Sequence, residues 1–226
     1  MKKKRFDTRR LVIFALFCAF AYVVTFVFHI KVAFLTFDAK DCVICMAAML
    51  FGPLPAVVIS LVVSLLEMVT VSETGFWGFV MNFVSTSAFA AAAGGFYHHF
   101  RKMWSAIVGL LLGAAAQVSV MLLLNPLIIP IYMNASREEV VQAIPVLLLP
   151  FNLIKAVLNA SLVLALYKPL SSALKKARVI PSGGEEDHPF SFRGRSAVIL
   201  ISGLAVALAC VLIFLFVMDG NIGFLK

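Results

Sequence analysis

The sequence predicts an all-α fold, a polytopic bundle of membrane helices, and three observations carry that reading. Apolar residues make up 62% of the 226-residue chain and charged ones only 13%, with a mean hydropathy of +1.04. No soluble domain of this size has a core that could hide so much apolar surface. Several runs reach the ~18 apolar residues that cross a bilayer as a helix. The net charge of +8 follows the boundaries of these runs. Lys2, Lys3, Lys4, Arg5, Arg9 and Arg10 precede the first run, Arg101 and Lys102 follow the fourth, and Lys168, Lys175, Lys176 and Arg178 close the sixth. Arg193 and Arg195 precede a seventh. If the chain alternates across the membrane, all of these fall on one side, and the other receives Lys31, Lys40, Arg137 and Lys226. The positive-inside rule then makes the amino terminus cytoplasmic, in a multi-pass protein of the plasma membrane. The charge pattern is that of a partner of the lipid bilayer, not of nucleic acid.

In order, residues 1–8 form a basic cytoplasmic amino terminus and residues 9–177 the membrane core. The first span, about Arg9 to Phe28, is too long for a signal peptide and has no small-residue cleavage site after it. Its Ala15 and Ala19 are a small-xxx-small pair, suited to close helix approach within the chain or against another subunit. The outer linker His29–Phe37 leads into Asp38-Ala-Lys-Asp41, where Thr36 or Asp38 is the expected helix N-cap and Asp41 suits the first turn. From Asp38 to Phe51 the helix has about 14 residues, or ~21 Å, short of a ~30 Å hydrocarbon core. The linker must therefore dip into the membrane, or neighbours must bury the helix. Span three carries Ser60, Ser64 and Glu67 at i, i+4 and i+7, a polar stripe whose carboxylate either sits solvated at the interface or faces a polar interior. Span four carries Asn82 and Ser85.

Span five begins near Trp104, holds the packing pair Gly109 and Gly113, and meets Asn125-Pro126-Leu-Ile-Ile-Pro130. Two prolines four apart predict a broken helix with Asn125 at its end. Residues 131–149 are then the longest outer connection, and Pro150 opens the sixth span in a first helical turn. Asn152, Lys155 and Asn159 follow at i, i+3 and i+7, one polar face in an apolar run. A lysine at that depth costs several kcal/mol unless paired or solvated, which makes it a functional-site candidate. Two interrupted helix ends, at Asn125 and Asn152, are the pattern of a transporter binding site. Asn159, a turn deeper, is expected to hydrogen-bond between helices. Residues 178–196 read as a cytoplasmic linker, 197–218 as an additional transmembrane helix without an ionisable side chain, and 219–226 as an external tail.

Several classes are excluded or weakened. Without GxxxxGK[ST] the chain does not hydrolyse ATP by itself, and HExxH and GxSxG are absent. His98 and His99 are adjacent and so do not share a helix face, which argues against a metal pair. Cys18, Cys42, Cys45 and Cys210 lie in apolar runs and read as small packing residues.

The combination LTFDAKD before a short helix, FGP after it, MNF in span four, NPLIIPIY and PFNLIK resembles the substrate-binding S components of energy-coupling factor (ECF) transporters, and within them the riboflavin-specific members. The resemblance covers about residues 5 to 177. It implies a six-helix core, here extended by one carboxy-terminal helix, that binds riboflavin from outside as cargo and holds no resident cofactor. It also implies assembly with a transmembrane coupling subunit and two cytoplasmic ATPases, with Ala15 and Ala19 facing the coupling subunit. By residue matching, Asn125, Asn152 and Lys155 fall on ligand-contacting positions. Phe34, Phe37 and Phe83 offer aromatic walls, Glu67 and Asn82 join the site from the polar stripes, and Asp38 of LTFDAKD is counted with them. The competing readings are an S component for flavin mononucleotide or another vitamin, an autonomous secondary transporter, and a membrane-embedded enzyme using Glu67, Lys155 and the histidines. Single cysteines at positions 99 and 134 should label from opposite sides of the membrane; labelling from one side would overturn this topology.

Overall fold

The computed structural model describes residues 8–28, 30–32, 35–177, 201–210 and 212. Helix α1 (Thr8–Val27) is followed by a hairpin of two three-residue strands, β1 (Ile30–Val32) and β2 (Leu35–Phe37). The strands pair antiparallel, Ile30 opposite Phe37 and Val32 opposite Leu35. Then come α2 (Lys40–Phe51), α3 (Pro53–Thr70), α4 (Gly75–Phe100), α5 (Met103–Met133), α6 (Arg137–Ala143) and α7 (Leu149–Lys176). Of the additional helix expected at 197–218, the described stretch Ile201–Cys210 is an apolar tail helix, while the linker 178–196 and the tail 219–226 lie outside the described residues.

The first span, the short second helix and the third and fourth spans stand where the sequence reading put them. The expected N-cap does not: α2 starts one residue later than Asp38 allows, with Ala39 at the cap position and no side-chain cap. Thr36 is held in the hairpin and the Asp38 carboxylate is drawn off by lysines. The described part of the linker is a paired hairpin whose Leu35 and Phe37 are buried in the bundle.

The 12-residue α2 is short because it does not span the membrane alone. Every residue from Lys40 to Met49 is buried, and α1, α3, α4 and α7 surround it. Gly52, at φ +97°, turns the chain sharply into α3, whose first residue Pro53 has no N–H left to satisfy. In lipid, helices associate through close packing and interhelical hydrogen bonds, so small residues mark the tightest contacts. A Cβ on Gly94 of α4 would lie 2.2 Å from the Ala48 Cβ of α2. Gly109 and Gly113 set α5 against α4 in the same way, at the carbonyls of Ala93 and Phe89.

Two expectations are corrected in the second half. Helix α5 runs unbroken through Pro126 and Pro130 to Met133, so Asn125 is interior to a helix and not at its end. Each proline removes only one donor, and the four-residue spacing leaves intervening hydrogen bonds to carry the helix across. The long outer connection at 131–149 also disappears. Asn134 closes α5 in the left-handed conformation, and Ser136 opens α6 with a capping box, its hydroxyl accepting from the Glu139 N–H while Glu139 accepts from the Ser136 N–H. A π-helical turn, Ile144–Leu148, joins α6 to α7. Pro150 therefore lies just after a π-turn in a continuous helical run, and Asn152 is not at a free helix end. Across the π-turn the Leu149 N–H donates to the Ile144 carbonyl, so the helical run continues between Pro145 and Pro150.

Gly94→Val is expected to destabilise the protein by at least the ~1–3 kcal/mol of an overpacked core, lowering the unfolding temperature in detergent. Gly95→Ala, whose new methyl meets only the Pro53 ring at 4.0 Å, should leave it unchanged.

Candidate functional site

The amino-terminal end of α2 brings Asp38, Lys40 and Asp41 into the bundle, each at most 2% exposed. Charges at that depth are tolerated only when paired and hydrogen-bonded. The Asp38 carboxylate accepts from Lys155 Nζ of α7 at 3.0 Å and from Lys40 Nζ at 3.4 Å, both at Oδ2. Lys40 turns its ammonium to Glu67 Oε2 of α3 at 2.7 Å. Glu67 also accepts from the Thr25 hydroxyl of α1 at 2.8 Å and from Asn82 Nδ2 of α4 at 3.4 Å. A continuous chain, Lys155–Asp38–Lys40–Glu67–Thr25, thus crosses the bundle from α7 to α1.

Asp41 anchors a second cluster. Its Oδ1 accepts from the Thr86 hydroxyl at 2.6 Å and its Oδ2 from Gln117 Nε2 at 2.7 Å, which also reaches Ser85 Oγ at 3.2 Å. Asn159 ties α7 to the same end of α2: its Oδ1 accepts from the Cys42 N–H at 2.8 Å, and its Nδ2 donates to the Asp38 carbonyl at 3.2 Å. Here the expected interhelical role of Asn159 is what the geometry displays. The N–H of Cys42 is one of the orphan donors of the first turn of α2, so Asn159 does from α7 what a local N-cap would have done.

Other polar atoms stay open. Both amide atoms of Asn125, at 0% exposure, lack a partner among the described residues, as do Asp38 Oδ1 and Ser64 Oγ. A buried amide left idle costs ~1–3 kcal/mol per group, so Asn125 marks a point where a complementary donor and acceptor would be stabilised. Asn125 lies one turn before Ile129, which packs in one cluster with Phe37 of the hairpin and Leu148, Phe151 and Leu158 around the start of α7. Asn152 is buried there too, donating to the Leu148 carbonyl at 2.7 Å, at the π-turn.

The residues singled out in the sequence therefore separate. Lys155, Asp38, Glu67 and Asn82 belong to one polar network joined through Lys40, while Asn125 and Asn152 neighbour Ile129 and Phe151 of the apolar cluster around the hairpin and the start of α7. Glu67 is buried and ion-paired, which settles the choice between an interfacial and an interior carboxylate. Phe37 is also buried, its ring edge-to-face with Phe151 at 6.2 Å. Phe83 stacks with Phe79 at 6.1 Å, while Phe34 lies outside the described residues. His98 sits at the opposite end of α2, near Gly52. The helix between has 12 residues, about 18 Å at ~1.5 Å each, which parts the histidines from Lys155 and Glu67. Ala15 and Ala19 face outward on α1, whose buried stripe is Ile13, Phe17, Ala21 and Thr25. Sequence reasoning missed Thr25, Asp41, Thr86 and Gln117 as members of buried clusters. The available signal was a set of isolated polar residues in apolar helices, too common to single them out.

Comparison with known proteins agrees with this architecture. Residues 9–167 match the family described as the ECF transporter substrate-specific component. The riboflavin transporter RibU of Staphylococcus aureus (strain TCH60) is 28% identical over 179 residues, covering 75% of this chain and 94% of that protein. A solved structure of the S component of a bacterial ECF transporter superposes with a TM-score of 0.65 at 28% identity, over 75% of this chain and 99% of that one.

Breaking the buried ion pairs one partner at a time should be costly. Lys40→Met strands the Glu67 carboxylate, leaves Asp38 with Lys155 alone, and is expected to lose ~3–5 kcal/mol of stability. Asp38→Asn combined with Lys155→Met should lose less than Lys155→Met alone, measured as unfolding temperature in detergent.

Proposed function

The chain belongs to the family of ECF transporter substrate-specific components, and from that premise we propose that its cargo is riboflavin, bound in the polar region between the hairpin, α3, α4, α5 and α7. The observation that carries the reading is Asn125, fully buried with its amide N–H₂ and carbonyl both unpartnered. A flavin ring edge presents carbonyls beside an N–H, the complement of a side-chain amide, and a ribityl chain presents hydroxyls that Asp38 Oδ1 and Ser64 Oγ can meet. Lys155 and Asn152 lie on the facing helix, and a relative covered over 94% of its length is named a riboflavin transporter. The bound vitamin would satisfy buried polar groups at one edge while its ring system rests on apolar and aromatic walls, Phe83 among them.

In this reading the amino terminus is cytoplasmic and the site opens outward. The outward-facing Ala15 and Ala19 of α1 dock a transmembrane coupling subunit, and ATP is hydrolysed by two cytoplasmic partner ATPases. Flavin mononucleotide is the weaker choice of cargo. Its phosphate calls for cations at the site mouth, and of those nearby Lys40 has its ammonium engaged by Asp38 and Glu67. An autonomous secondary transporter would instead take up substrate in vesicles lacking any ATPase.

Protein purified from rich medium is expected to be yellow and, once stripped, to quench riboflavin fluorescence. Asn125→Ala, Asn152→Ala and Lys155→Ala should each weaken binding by ~1–3 kcal/mol, roughly 5- to 150-fold in Kd. Unchanged affinity in all three would remove the site assignment. Competition by thiamine or by flavin mononucleotide at equal potency would remove the choice of riboflavin.

A further inference from the structure

The family match ends at residue 167, so the tail helix is additional to the core shared by the family. It is seated on α7 by its small face. A Cβ on Gly203 would lie 2.9 Å from the Ser161 carbonyl oxygen and 3.0 Å from the Ala165 Cβ, the contact of a helix that approaches another backbone-on-backbone. One and two turns further on, Ala207 and Cys210 are 6% and 8% exposed. They are buried in the cluster that holds Leu158 and Phe151 of α7 together with Leu35 and Phe37 of the hairpin. The opposite face, with Ile201, Leu204, Leu208 and Leu212, is exposed. From Gly203 to Cys210 a helix rises about 10 Å, which carries it from its contact at Ser161 into the cluster that Leu158 shares with Phe151 and Phe37.

We propose that the tail helix is a built-in buttress of the cargo site, seated through Gly203, Ala207 and Cys210, which holds the α7–hairpin wall closed and so slows release of the bound ligand. The inference rests on the reading of this region as the cargo site. The hairpin strands have three residues each, and an isolated two-stranded ribbon of that size has little stability of its own. Its position therefore depends on what packs beneath it, and Phe37 packs on Phe151 in the cluster that the tail helix completes. Close packing transmits a displacement at one side of such a cluster to the other. Gly203 is thus a positioning residue for the hairpin, with no contact to the ligand required.

The test compares full-length protein with Gly203→Ala and Gly203→Leu, which push the tail helix off α7 to increasing degrees, and with Leu208→Ala on its exposed face. Three readouts are taken: maleimide modification at Cys210 by mass spectrometry, hydrogen–deuterium exchange of the amides in residues 30–37, and the dissociation rate of riboflavin by fluorescence. The expected result for Gly203→Leu is faster modification of Cys210, faster exchange in the hairpin and riboflavin release at least ~5-fold faster. Gly203→Ala should fall between this and the parent, and Leu208→Ala should match the parent in all three. A Cys210 that stays protected in Gly203→Leu overturns the seating. A Cys210 that opens while hairpin exchange stays unchanged overturns the buttress. If the parent protein binds no riboflavin, the cargo reading falls by itself, and hairpin exchange still decides whether the tail helix holds the wall.

Discussion

Bringing the amino-terminal end of α2 into the bundle imposes a requirement that the other long helices meet together. That end carries Asp38, Lys40 and Asp41, and a charge removed from water is tolerated only with compensating partners. Thr25 comes from α1, Glu67 from α3, Asn82 and Thr86 from α4, Gln117 from α5, and Lys155 and Asn159 from α7. Each of the five long helices thus contributes a polar side chain to one end of one short helix. Apolar helices in lipid can slide or rotate against one another at small energetic cost, whereas a misplaced polar partner leaves a buried charge exposed to hydrocarbon. The clusters around α2 therefore fix rotation and depth for the whole bundle.

The same requirement explains the division of labour between amides. Asn159 is saturated: its amide takes the Cys42 N–H and gives to the Asp38 and Lys155 carbonyls, so it serves architecture. Asn152 spends a donor on the Leu148 carbonyl at the π-turn. Asn125, equally buried, keeps both atoms open, and it lies in a helix whose neighbouring Pro126 has already given up a backbone hydrogen bond. Among the described residues it is the buried side chain with both a donor and an acceptor left idle, which is why the binding reading leans on it and not on Lys155. Lys155 is a charge in an apolar run, and its pairing with Asp38 gives it a structural partner without any ligand.

Much of this was legible from spacing. Ser60, Ser64 and Glu67 at helical intervals are all buried on the inner face of α3, and Asn152, Lys155 and Asn159 likewise on α7. The misreadings came from local rules that the tertiary surroundings overrode. Two prolines four apart read as a break, yet α5 continues, because a helix held on several sides by packing tolerates two missing donors. The capping box at Ser136 and Glu139 starts α6 inside the stretch whose length and distance from Pro150 read as a connection. The hairpin left almost no trace, since two three-residue strands are too short for alternation to register.

The sequence by itself determined that the chain is a helical membrane bundle, roughly where each span lies, and which faces are polar, because period and hydropathy are local properties repeated over many residues. Only the tertiary structure decided which polar groups answer one another and which stay open. It paired Lys155 with Asp38 across 117 positions of sequence, buried Glu67 under Lys40, and seated the tail helix against α7 through Gly203. Pairing of this kind is set by helix rotation and depth, which no single segment encodes. Depth in turn follows from how far the one short helix, α2, draws its charged end inside.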